Sequence, residues 1–145
     1  MPMNLERLEM LRQLAERQEQ AALKQLAQRQ QQLARAEGVL RELEQYSQSD
    51  TLRPAAVSNS ALLLNQQAFV QRLQQAIASQ AGTVRAAVVA VETARQHWLA
   101  EKRQLMVAEQ MCRQARLALQ QRQAYRAQLE SDEVAAQRWV QASHA

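Results

Sequence analysis

Few side chains in this sequence could do chemistry. There is one cysteine, Cys112, and of the two histidines His97 stands beside Trp98. A metal centre needs three or four His, Cys, Asp or Glu ligands at short spacing, and no such group occurs. No glycine-rich stretch could wrap a phosphate, and no nucleophile has a base placed to activate it. No catalytic, cofactor-binding or metal-ligating residue is therefore assigned. The expectation is a protein that is not an enzyme and uses no cofactor. His97 reads as a packed or solvent-facing side chain rather than a ligand. Cys112 falls between Leu105 and Leu119 at an apolar position, where a small buried hydrophobe suffices. A thiol so placed lacks the exposed electropositive setting that reactivity needs.

Two other sets of side chains suit binding. Lys102, Arg103, Arg113, Arg116, Arg122 and Arg126 are met by one acid, Glu109, before Glu130, within a formal net charge of +4. Such a row can steer an acidic protein surface or a nucleic acid, or it can simply be the solvated face of a helix. The second set is Leu40, Leu43, Tyr46, Phe69, Leu73 and Ala76. Brought together, these side chains would either plug the turn of a hairpin or form an apolar docking patch, since exposed aromatics anchor interfaces well.

The elements that must position both sets are helices. Val70, Ile77, Val84, Val91, Trp98, Leu105, Cys112 and Leu119 are spaced by seven and none is polar. A period of seven keeps residues on one side of a helix, and so long a run calls for a partner helix. A second row, Leu73, Ala87, Ala94, Ala108 and Ala115 with Gln80 and Glu101 as exceptions, completes the stripe. The N-terminal stretch has the same design. Leu5, Arg12, Glu19, Leu26, Leu33 and Leu40 form one row, and Leu8, Ala15, Ala22, Arg29, Ala36 and Leu43 the other. Its polar members fall early, so pairing is expected to be tightest over Leu33–Leu43. Met106 and Met111 fill gaps or touch a partner.

Asn4 suits an N-cap. Ser47-Gln48-Ser49-Asp50 and Arg53-Pro54 are turn chemistry, and Ser58, Asn59 or Ser60 can cap the next helix. Gly38 and Gly82 weaken their helices without ending them. The fold class expected is all-α: a two-helix antiparallel coiled-coil hairpin with a much longer C-terminal helix. The layout is one domain over 1–145, with helix 1 about 4–47, a loop about 48–60, helix 2 about 61–137 and a frayed tail to 145. At ~1.5 Å per residue the helices are ~65 and ~115 Å long. Folding the second back on the first sets Leu43 near Leu63–Val70, Leu5 near Glu101–Leu105, and Trp98 against Leu5 and Leu8. Everything past about Leu105 is then an uncovered, basic overhang.

Composition agrees. The chain is rich in Ala, Leu, Gln, Glu and Arg, with two Gly, two Pro and one Phe, which suits seams rather than a globular core. A single cysteine fits a reducing compartment. Met1-Pro2-Met3-Asn4-Leu5-Glu6 shows no secretory signal and no apolar run is long enough to span a membrane, so a cytoplasmic location is expected.

The sequence resembles the FliJ family of bacterial flagellar export proteins over most of its length. The residues carrying this are Leu11-x-x-Leu14-Ala15-Glu16, Ala36-Glu37-x-x-Leu40-x-x-Leu43-x-x-Tyr46 and Gln67-x-Phe69-x-x-x-Leu73-x-x-Ala76-Ile77-x-x-Gln80. Val91-Glu92-x-Ala94-Arg95-x-x-Trp98 and Asp132-Glu133-x-Ala135 continue the match. The chain departs from relatives at Asp50 and at Gly38-Val39. The resemblance implies a coiled coil similar to the stalk of rotary ATPases, serving type III protein export. Its implied partners are the export ATPase hexamer (FliI-like), the cytoplasmic domain of the export gate (FlhA-like) and export chaperones. It implies no nucleic acid, and membrane association only peripherally, through the gate. Carried over, the gate contacts fall on Leu40, Leu43, Tyr46, Phe69, Leu73 and Ala76. For the ATPase only Arg113, Arg116, Arg122 and Arg126, with the start of helix 1, can be nominated. The rivals are a nucleic-acid-binding coiled coil, a structural homodimer, and the stalk of a virulence-type export system.

Overall fold

Asn4 begins the first helix by accepting a hydrogen bond from the Glu6 amide through Oδ1 at 3.2 Å, while its carbonyl takes the Leu8 amide at 3.1 Å. The cap thus satisfies one donor of the first turn. The computed structural model describes residues 4–49 and 60–144. Among them there are two helices and no strand: α1 over Leu5–Gln48 and α2 over Ser60–Ser143. The Ser49 amide and hydroxyl both donate to the Tyr46 carbonyl at the close of α1. The turn signals from Asp50 through Arg53-Pro54 to Ser58 and Asn59 lie outside the described residues, as does Met1-Pro2-Met3. Gly38 and Gly82 sit inside unbroken helices at ordinary negative φ. α2 also runs through Ser131-Asp132 and past Gln137.

The helices pack through the rows legible in the sequence. All twelve α1 positions from Leu5 to Leu43 are buried or half-buried, and so are their α2 counterparts from Val70 to Ala115. The deepest are Leu8, Ala15, Ala22, Leu26, Ala36, Leu73, Ala94 and Cys112. This differs from the expected concentration over Leu33–Leu43, where Ala36 is buried but Leu33, Leu40 and Leu43 are only half-buried. Alanine lets the backbones approach and is itself hidden.

Both helices contribute to each of two compact units, Met1–Glu19 with Glu101–Ala145, and Gln20–Ala100. Within Gln20–Ala100, the Tyr46 ring meets Phe69 and the Gln80 side-chain amide donates to the Ala36 carbonyl at 2.9 Å. Gln25 and Arg29 line a shallow groove with Ala94 and His97. Partner numbers rise along α2 as they fall along α1. The polar exception Gln80 is thereby explained: it reaches across the seam and satisfies itself on a backbone acceptor. α2 starts before its seam does, since residues 60–65 are all exposed and Gln66 is the first to be half-covered.

In the other unit Arg116 pairs with Glu9, and Leu119 lines a depression with Asn4, Leu5 and Glu9. The start of α1 therefore lies beside Arg116 and Leu119, not beside Glu101–Leu105. Two expectations change with it. Leu105, Ala108, Cys112 and Ala115 are covered rather than overhanging, and Leu5 packs near Leu119 instead of Trp98.

Candidate functional site

Two surfaces of the helices can hold a partner. The first is built around the Tyr46–Phe69 pair, whose ring centroids are 6.2 Å apart at an interplanar angle of 69°. Edge-to-face contact of this kind favours a defined orientation over a stacked sandwich. Both rings remain partly in solvent, Tyr46 at 52% and Phe69 at 41% exposure. Of the other nominated residues, Leu40 and Leu43 are half-buried, Leu73 is buried and Ala76 is exposed. So the rings and Ala76 are open to solvent, while Leu73, Leu40 and Leu43 are wholly or half covered.

The second is the stretch of α2 after the last seam residues. Cys112 is 2% exposed and Ala115 half-buried, but every residue from Arg116 to His144 is exposed. The four nominated arginines divide accordingly. Arg113 donates to Gln110 at 3.0 Å on its own helix. Arg116 is held by Glu9, which Arg12 also contacts at 3.0 Å. Arg122 and Arg126 belong wholly to the exposed arm. The Glu9 carboxyl lies below its ordinary range, first because Arg12 donates a hydrogen bond to the charged form. Loss of hydration opposes that shift, and the Arg116 charge adds to it. Arg116 is thus partly committed within the chain.

The arm carries apolar side chains that the heptad search passed over: Leu117, Tyr125, Leu129, Val134, Trp139 and Val140 are all exposed. Their signal was present. Beyond Leu119 the seam positions alternate: Arg122, Arg126 and Glu133 interrupt the row, while Leu129, Ala136 and Val140 keep it apolar. Glu9 was missed for a related reason, lying just off both rows at the edge where Arg116 arrives.

No chemistry collects elsewhere. Among the described residues no three His, Cys, Asp or Glu side chains gather. Cys112 is a buried free thiol. Glu101, the acidic exception in the α2 row, has its Oε2 shielded with no hydrogen-bond partner among the described residues. No described helix is long and apolar enough to cross a membrane.

The model of one family, the flagellar FliJ protein, matches residues 3–144. The chain belongs to the FliJ family. Neither curated proteins nor solved structures gave a match. FliJ-family proteins are helical components associated with flagellar protein export.

Proposed function

We propose that this FliJ-family chain is a non-enzymatic component of the flagellar type III export apparatus, linking the export ATPase ring to the export gate and handling substrate chaperones. The pairs Tyr46–Phe69 and Ala36–Gln80 support an antiparallel coiled-coil hairpin as its form. It would be a single domain, working in the cytoplasm at the inner face of the membrane. The observation that carries the reading is the arm: α2 leaves the cover of α1 and keeps arginines and large apolar side chains in water. Arg122 and Arg126, with Arg113 and Arg116 beside them, would meet acidic side chains lining the ATPase ring. Charge pairs of this kind orient and speed association more than they add affinity. The Tyr46–Phe69 patch, with Leu40, Leu43, Leu73 and Ala76, would take the cytoplasmic domain of the gate, with rings as anchors. Export chaperones would bind exposed helical faces of the same kind.

The test is reversal of Arg113, Arg116, Arg122 and Arg126 to Glu in the full chain. Binding to and stimulation of the purified export ATPase should disappear while helicity by circular dichroism is unchanged. Stimulation that survives the reversal would remove the arm from the ATPase contact.

A further inference from the structure

The apolar row of the arm continues the seam's period only in part. Leu129, Ala136 and Val140 stand at seam positions, Ala118 and Tyr125 one residue before such positions, and Arg122, Arg126 and Glu133 occupy seam positions between them. All of these residues are exposed, so no part of α1 covers the row. Between Ala118 and Ala136 the charges are also sorted: Arg122 and Arg126 come first, then Glu130, Asp132 and Glu133, with Arg138 beyond them. A segment basic in its first half and acidic in its second is complementary to itself when reversed.

We propose that the arm pairs with the arm of a second copy of this chain, antiparallel and across a two-fold axis near Ala127. The layers then follow from spacing alone. Tyr125 of each copy lies against Leu129 of the other, Arg122 against Asp132, and Ala118 against Ala136, every pair equidistant from the axis. The contact is isologous, so each layer occurs twice and the assembly closes at two. The central layers are apolar and the next ones ionic, and a charge pair within the stripe fixes direction and register more than it adds strength. A parallel arrangement would set Arg122 on Arg122 and Asp132 on Asp132. Gln128 already donates to Asp132 at 3.1 Å along the helix, leaving the other carboxylate oxygen for the arginine. Tyr125 is 67% exposed and Leu129 50%, so the pairing removes large apolar surface from water. It would also cover Arg122, so a self-paired arm and one engaged by another protein exclude each other.

This goes beyond the export reading, and it is tested on the chain alone, so either can fail without the other. Sedimentation equilibrium of the full chain over roughly 1 to 500 μM, the range for a small interface, should pass from monomer to dimer and no further. Arg122→Glu and Asp132→Arg should each weaken dimerisation by about tenfold or more, because each places two like-charged pairs in the stripe. Mixing the two variants should restore a heterodimer at near the original affinity. Monomer at every concentration would overturn the proposal and leave the face to a different occupant. So would a dimer indifferent to both substitutions, or variants that do not recover when mixed while helicity is intact.

Discussion

Residues 101–115 and 117–143 of α2 belong to one helix and one compact unit, yet they meet water in opposite ways. In the first stretch Leu105, Ala108, Cys112 and Ala115 keep the seven-residue period and are shielded by the start of α1. In the second, Arg122, Arg126 and Glu133 interrupt the same positions, Leu119, Leu129, Ala136 and Val140 hold the rest, and everything is exposed. Helix formation does not distinguish them; both are rich in strong helix formers. What differs is whether the repeat presents a continuous apolar edge where a partner helix is at hand. A helix can be continuous while its function divides, one part holding the fold and the next left to bind.

That contrast can be broken most severely by moving charge into the seam. Ala22 is 2% exposed, and Ala22→Glu should cost about 3 kcal/mol or more, because the carboxylate loses its hydration in the seam. Leu117→Glu in the arm should change stability by less than about 0.5 kcal/mol, since the site is 55% exposed. Urea unfolding followed by circular dichroism measures both. Equal effects would mean the arm is packed after all.

A smaller effect sharpens the comparison within the seam. Gln80 and Glu101 occupy equivalent row positions, but Gln80 donates to Ala36 while the shielded oxygen of Glu101 has no partner among the described residues. Glu101→Leu should therefore stabilise by about 1 kcal/mol, relieving an unsatisfied acceptor, whereas Gln80→Leu should bring no such gain because it loses a bond. Thermal unfolding of the two variants side by side decides this.

The smallest effect is a pH dependence. The Glu9 carboxyl has a depressed pKa in the folded chain, chiefly through Arg12. Its contribution is complete above the ordinary glutamate value of about 4.3 and is lost as pH falls through the lower folded value. Glu9→Gln should thus narrow the difference in melting temperature between neutral pH and the acid range below about 4. An unchanged difference would show that the Arg12 and Arg116 contacts add nothing in solution.

The fold was legible to the extent that it is periodic. Both pairs of rows, the Asn4 cap and the tolerance of Gly38 and Gly82 follow from residue type and spacing. Register was not legible. Taking the breaker residues as the middle of a symmetric turn sets Leu5 opposite Glu101–Leu105. The structure instead has α2 begin before its seam and brings Leu5 to Leu119. Repeating alanines and leucines look alike after a one-heptad slip, so pairs such as Gln80 with Ala36 must choose among registers that the pattern leaves equal. The move of Leu5 to Leu119, two heptads or more, also brings Arg116 beside Glu9. Past Leu119 the row is interrupted by Arg122, Arg126 and Glu133, which obscures the apolar positions Leu129, Ala136 and Val140 between them.

The central claim is that the arm and the Tyr46–Phe69 patch are separate binding surfaces for the ATPase and the gate. Paired pull-downs of the full chain with the purified export ATPase and with the soluble domain of the gate test it most directly. Arg122→Glu with Arg126→Glu should lose the ATPase and retain the gate, and Tyr46→Ala with Phe69→Ala should do the reverse. Loss of both partners from either pair of substitutions at unchanged helicity, or of neither, would contradict it.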